Sequence, residues 1–532
     1  MKRWFLPFSA IMAILTVVGV LVHKPATTAQ DISGGMFRSY LTSEPANLDP
    51  ARGVDVSEGL VQAKIYDGLV RYDENMKLIG DLAETWEITD EGRSYLFHLR
   101  PGVTFHDGTP LTPADVVYSL NRLLDPAVRS PRGWILEKVV GSRDRLDNKT
   151  TTVSGIVAVD EKTVKITLLE PFAPFLSLLS MPAAYVLPAV HEKAIADRSF
   201  FEKPQGTGPF KLIARERDSY LRLAANAEYF GEKPGISTLE MRVIPESMKA
   251  EMEYETGNLD ILQLHPSNYE RFKARGDEAG KVTDIPAMNV FYVGFNNQVA
   301  PFNDVRVRKA LNSLIDREAL IKAVFKGRGV PARGSIPPGI LGYSDQVQGY
   351  GFNPEEGRRL LKEAGYDAKN PLKFALFQKS SQAAFEITRL LQGELKKHGV
   401  EVSLKPMEWS ALKDAIDKGE APAFYLSWYG DYPDGENFLY PLFHSKNWGS
   451  GGNRARFKDE KVDAMLEMAL KIQDPAKRAE AYDQINRLVV GQAPWLYLWY
   501  AAESYIVGPQ VERIAFSPLF SVDKGLSIRM RP

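Results

Sequence analysis

The sequence predicts an α/β protein of more than one lobe, and three observations carry that prediction. Short apolar or period-two runs alternate along the chain with capped amphipathic helices. The 532 residues, 44% hydrophobic and 25% charged, have ordinary globular composition but are too many for one core. No Gly/Ser-rich or Pro-rich linker interrupts the chain, so the boundaries between lobes must fall in compact crossings.

Strands are expected at "YLFHLR" (95–100), "TVKITLL" (163–169), "LRLAAN" (221–226) and "VFYVGFN" (290–296), where β-branched and aromatic residues recur. Helix starts are marked by their caps. Thr112, Pro113 and Asp115 open one; Asn353, Pro354 and Glu356 open another that Gly365 stops; a third runs from Asp474 to Gly491. In "FNDVRVRKALNSLIDREALI" (302–321) an amphipathic helix is expected, with Val307, Ala310, Leu311 and Leu314 buried and Arg306, Arg308 and Asp316 solvated. Gly206 and Gly208 in "GTGPF" are expected to make turns at positive φ. His106 and Asp107 are expected to stabilise the turn after a strand.

The first 29 residues have the order of an export signal. Lys2 and Arg3 precede an apolar run to Val22, then come Pro25 and small residues ending at Ala29. Apolar character from Trp4 to Val22 also nears the length that spans a bilayer, so a retained anchor is the alternative. Cleavage removes Lys2, Arg3 and Lys24 and no acid, which moves the formal net charge from -1 to -4. With no cysteine there is no disulfide, no thiolate metal site and no lipid-modified cysteine.

Composition and motifs exclude several functions. A chain close to neutral, without long basic runs, does not track nucleic acid. The seven histidines are scattered without HxH or HxxxH spacing, so no metal site is expected. Nucleophile elbow, phosphate-binding loop and dinucleotide fingerprint are all missing, and no cofactor is expected; "GSGGN" (449–453) reads as a turn.

One stretch is densely patterned: "DLAETWEITDEGRSYLFHLRPGVTFHDGTPLTPADVVYSLNRL" (81–123). It resembles the signature of the solute-binding proteins of peptide and nickel ABC importers, solute-binding protein family 5. "EPANLDP" (44–50), "GTGPF" (206–210), "FNDVRVRKALNSLIDREALI", "SIPPG" (335–339) and "WYGDYPDGENF" (428–438) follow in that family's order. The resemblance is above all to the dipeptide- and oligopeptide-binding branch. It implies a periplasmic-binding-protein-like class II fold, bilobal with a hinge, with an extra domain in the first lobe. Domain I is then expected over 31–67, 206–286 and 501–532, domain II over 68–205, and domain III, the second lobe, over 287–500.

The same resemblance implies a site. In the peptide branch an aspartate in a W-x-x-D segment takes the ligand's ammonium, and Trp428, Tyr429, Gly430 and Asp431 match it. A buried charge without a partner is costly, so Asp431 is the expected anchor. Trp428, Tyr429 and Tyr432 are expected to form flat walls, with core packing the rival account for Tyr432. Asp434 and Glu436 are expected to open the helix "ENFLYPLF". Where that branch places an arginine for the carboxylate end, this chain has Gln378 and Lys379, and a lysine offers a point charge rather than a fork. Val54 and Asp55 fall near the family's contacting loop of the first lobe.

The expected function is a periplasmic, monomeric receptor, not an enzyme. It captures a peptide and delivers it to the permease of an ABC importer in the inner membrane. A non-peptide cargo on the same fold (nickel chelate, haem or opine-like compound), a membrane-tethered sensor, and a glycosidase-like pair of Asp431 with Glu436 or Asp434 are the alternatives. N-terminal sequencing of the exported protein is expected to start near Gln30; an intact Met1 would show a retained anchor.

Overall fold

The computed structural model describes residues 34–276, 280–519 and 522–532. The signal expected over 1–29 lies outside them. Among the described residues no helix is long and apolar enough to cross a membrane.

The second lobe is built on a six-stranded sheet in the order Val330–Pro331, Trp495–Tyr500, Asn289–Phe295, Ala423–Tyr429, Lys373–Lys379, Glu401–Met407. Its central strand, Asn289–Phe295, is the expected apolar run, and its side chains alternate between two cores. Val290 and Tyr292 join a cluster with Phe438 and Ile485 of helices Glu436–Phe443 and Pro475–Gln492. Val293 and Phe295 join another with Leu311 and Leu391 of helices Val305–Ser313 and Gln382–Lys397. Helices thus cover both faces, which is why the strand carries so few polar residues.

The first lobe holds a four-stranded sheet in which Met36–Leu41 runs parallel to Thr238–Val243, beside Tyr220–Ala225 and Phe210–Glu216. A second four-stranded sheet, Ala83–Thr89, Ser94–Leu99, Thr163–Thr167 and Ile156–Ala158, packs with helix Pro113–Leu123 around its own core. That helix starts as expected, with the Thr112 amide donating to the Asp115 carboxylate at 2.8 Å. The His106 ring lies 2.9 Å from the Gly208 carbonyl, and Asp107 meets His191 and the Thr109 amide, so the turn is tied across the lobe.

Three local expectations are corrected. Gly206 and Gly208 do not adopt positive φ. They are needed for close approach: a Cβ at Gly206 would sit 1.9 Å from the Ile65 carbonyl oxygen, and one at Gly208 2.4 Å from its carbonyl carbon. The stretch 302–321 is two helices, Val305–Ser313 and Arg317–Phe325, because Asp316 caps the second through the Ala319 amide at 3.0 Å. Arg308 is buried rather than solvated. Its guanidinium donates to the Phe302 carbonyl and to the carbonyls of Gln492 and Ala493 at the C-terminal end of helix Pro475–Gln492. Burial without a carboxylate partner lowers its pKa to about 10.

Two chain crossings join the lobes side by side. Strand Lys281–Pro286 pairs with Ala502–Val507 in a first-lobe sheet, and Asn289–Phe295 pairs with Trp495–Tyr500 in the second. The Ala287 amide donates to the Ala501 carbonyl at 3.0 Å, and the Ala501 amide donates to the buried Asn289 side chain at 2.9 Å.

The C-terminal segment is held by a buried cation. The Lys524 ammonium contacts Asp67, lies 3.4 Å from Asp81 and donates to the Tyr66 carbonyl at 3.1 Å. Asp67 also accepts from Thr207 at 2.7 Å and Tyr229 at 3.2 Å. Removing the cation leaves two buried carboxylates under-compensated. Lys524→Met is therefore expected to lower stability by about 3–5 kcal/mol in urea melts, whereas Lys138→Met, at the exposed Lys138–Glu170 pair, is expected to change it by less than about 1 kcal/mol.

Candidate functional site

A cleft of about 500 Å³ lies at the hinge. Its walls come from the first lobe (39–42, 53–57, 59, 60, 62, 503, 505 and 514–519), from Arg132 and 181–183, and from the second lobe at 429–431.

Asp431 is placed by the turn that follows strand Ala423–Tyr429. The Gly430 amide donates to the Met288 carbonyl at 2.8 Å, which pins the strand end to the crossing. A Cβ at Gly430 would lie 2.7 Å from the Phe438 ring, so glycine is required for this close approach. Asn437, in the first turn of helix Glu436–Phe443, then accepts from both the Asp431 amide (3.1 Å) and the Trp428 indole (3.3 Å). This shared acceptor gives the Trp-x-x-Asp spacing a physical cause.

The Asp431 carboxylate faces Arg132 at 3.5 Å, with side-chain exposures of 35% and 25%. Burial pushes its pKa up, and the opposing pull of Arg132 does not cancel that. Arg132 also approaches the Val54 carbonyl at 3.4 Å, so it touches both sides of the cleft. Tyr429 lines the cleft, its ring edge-on to Phe291 at 6.2 Å. Val54 and Asp55 line it too, although the Asp55 carboxylate is occupied in capping helix Val56–Ile65 through the Glu58 amide at 2.9 Å.

Other expected site residues lie elsewhere. Trp428 is not on the cleft wall; it packs against the second-lobe core. Tyr432 is buried in the core of the second four-stranded sheet and donates to Glu436, so core packing is its role. Gln378 is fully buried and accepts from Thr388, and Lys379 is exposed with its ammonium 5.9 Å from the Trp409 ring. The parallel register, Leu376 with Ala423 and Phe377 with Phe424, brings Lys379 level with Leu426, well short of Asp431. That is why neither reaches the cleft.

The glycosidase-like pair is not assembled. Asp434 is buried against Arg478 at 3.1 Å and accepts the Glu436 amide at 3.0 Å. Glu436 opens its helix as expected but is sealed beneath Tyr432. The two acids differ from Asp431 in environment, yet neither lines the space a sugar would need.

Sequence reasoning missed Arg132, Glu503, Tyr505 and Phe516, all on the cleft wall. A signal existed for two of them: in "AESYIV", Glu503 and Tyr505 alternate with the buried Ser504 and Ile506. Arg132 lies in "SPRGW", which has no period to read.

The sequence profile described as "Bacterial extracellular solute-binding proteins, family 5 Middle" matches residues 77–450. The chain belongs to this family. Among the relatives of this family 5 protein are the heme-binding protein A of Haemophilus influenzae, 30% identical with 92% of each chain covered, and the dipeptide-binding protein of Escherichia coli, 30% identical with 97% of each covered. The structure of HbpA2 from Haemophilus parasuis superposes with a TM-score of 0.84 at 25% identity, covering 94% of this chain and 100% of that one.

The buried Glu436 sets a pH dependence. Burial raises its pKa from 4.5 to about 7, so between those values the native state holds a proton that the unfolded chain releases. Its contribution to stability therefore falls as pH rises through that window. Glu436→Gln keeps an acceptor for Tyr432 and removes the titration. Urea melts at both ends of the window are expected to show the variant gaining about 1–3 kcal/mol on the wild type as pH rises, and a constant difference would contradict the burial.

Proposed function

We propose that this family 5 protein captures a short peptide between its lobes and presents it to the permease of an ABC importer. The observation that carries this reading is Asp431: a part-buried carboxylate in the hinge cleft whose charged neighbour is an arginine at 3.5 Å. A peptide ammonium at hydrogen-bonding distance is a stronger partner for it than that arginine. The exchange would free Arg132, the one basic side chain among the described residues lining the cleft, to form a two-point bond with the peptide carboxylate. The carboxylate end would then be met by an arginine of the first lobe, not by Lys379. The relative named a dipeptide-binding protein supports the peptide cargo.

A ligand held by Arg132 and Val54 on one side and by Asp431 and Tyr429 on the other has more contacts in the closed state. It therefore shifts the population toward closure, which a permease can read. We place the receptor in the periplasm as a monomer without catalytic activity. The boundaries proposed for its parts are 31–67, 206–286 and 501–532 for domain I, 68–205 for domain II and 287–500 for domain III, supported by how the strands share sheets.

Calorimetry with a mixed library of di- to hexapeptides is expected to show binding that Asp431→Asn weakens by about a hundredfold. Unchanged affinity in the variant would overturn the anchor, and absence of any peptide binding would favour a non-peptide cargo.

A further inference from the structure

We infer that the cleft selects peptides carrying a basic side chain, and that Glu503 is the residue that reads it. The inference rests on the peptide reading of the same cleft and goes beyond it to the class of peptide.

Four acids line the cleft, Asp55, Asp431, Glu503 and Asp523, against the single base Arg132 among the described residues. Three of the four are occupied. Asp55 caps its helix, Asp431 faces Arg132, and Asp523 pairs with the buried Lys64 at 3.0 Å. Glu503 differs: its hydrogen-bond partner is the neutral Tyr505 hydroxyl at 2.7 Å, and among the described residues no cation pairs with it.

Its setting suits a cation. Glu503 and Tyr505 share one face of strand Ala502–Val507, and that face lines the cleft while Ser504 and Ile506 point into the lobe. Tyr505 stacks on Phe516 with centroids 5.1 Å apart, and both rings line the cleft. A carboxylate beside stacked aromatic faces gives an ammonium or guanidinium both charge pairing and cation-π contact. Glu503 pairs with Ile285 and Tyr429 with Asn289, which places both at the crossing end of the cleft, where burial and then the Glu503 carboxylate raise the pKa of the Tyr429 phenol.

A zwitterionic peptide bound to Asp431 and Arg132 adds no net charge. The Glu503 carboxylate would then be closed in without a counter-ion, at a cost in affinity. A lysine or arginine side chain removes that cost, an apolar side chain leaves it, and an acidic one increases it.

Calorimetry on the purified protein tests this with Ala-Lys, Ala-Leu and Ala-Glu and with Ala-Lys-Ala, Ala-Leu-Ala and Ala-Glu-Ala. The lysine peptides are expected to bind about tenfold tighter than their leucine counterparts, and the glutamate peptides more weakly than either. Glu503→Gln is expected to bring lysine and leucine peptides to within about twofold while leaving the leucine peptides bound. If leucine peptides bind and lysine gives no advantage, or if the advantage survives in Glu503→Gln, the inference is overturned while the peptide reading stands. If none of the six binds the wild type, this inference falls, and the di- to hexapeptide library decides the peptide reading.

Discussion

The chain itself passes between the lobes at two adjacent strand crossings. At Ala287 and Ala501 the two crossings are fastened by a backbone hydrogen bond and by the Asn289 side chain. The constraint is geometric: paired antiparallel strands on either side keep the crossings in register. The same geometry decides where the cleft lies. Tyr429 pairs with Asn289 and Glu503 with Ile285, so the strand ends nearest the hinge deliver the cleft's polar residues.

Charge is handled differently in the scaffold and in the cleft. In the scaffold, Lys524 is held by two carboxylates and a carbonyl and Arg308 by three carbonyls. Such sites are expensive to disturb and cannot open repeatedly. In the cleft, Arg132 and Asp431 meet at 3.5 Å with substantial exposure, a weak contact that a ligand's charges can replace. A receptor needs both kinds: a rigid frame, and a pair of charges that exchange partners at little cost.

Legibility in the sequence followed the range of the interaction. The helix starts at Thr112, Asn353 and Glu436 were readable because a cap is settled within a few residues of chain. The landmark-rich stretch 81–123 pointed to the family without any contact being known. What could not be read depended on distant segments. Arg308 looks solvated until helix Pro475–Gln492 brings its carbonyl end over it, and Gly206 looks like a turn glycine until Ile65 packs against it. The cleft shows the same division. Asp431, expected from the family's Trp-x-x-Asp segment, lies on the cleft wall, whereas Gln378 and Lys379 do not reach it because strand register, not sequence distance, decides which side chains reach the hinge. Arg132 arrives from a different part of the chain and has no local signal at all.

The central claim is that the cleft is built for a peptide ammonium at Asp431. Native mass spectrometry of the protein purified undenatured from its own host measures this most directly, because the cargo is released and identified intact. The account predicts short peptides with free amino termini, enriched in lysine and arginine. A haem, a metal chelate or another cargo without an ammonium group would contradict it.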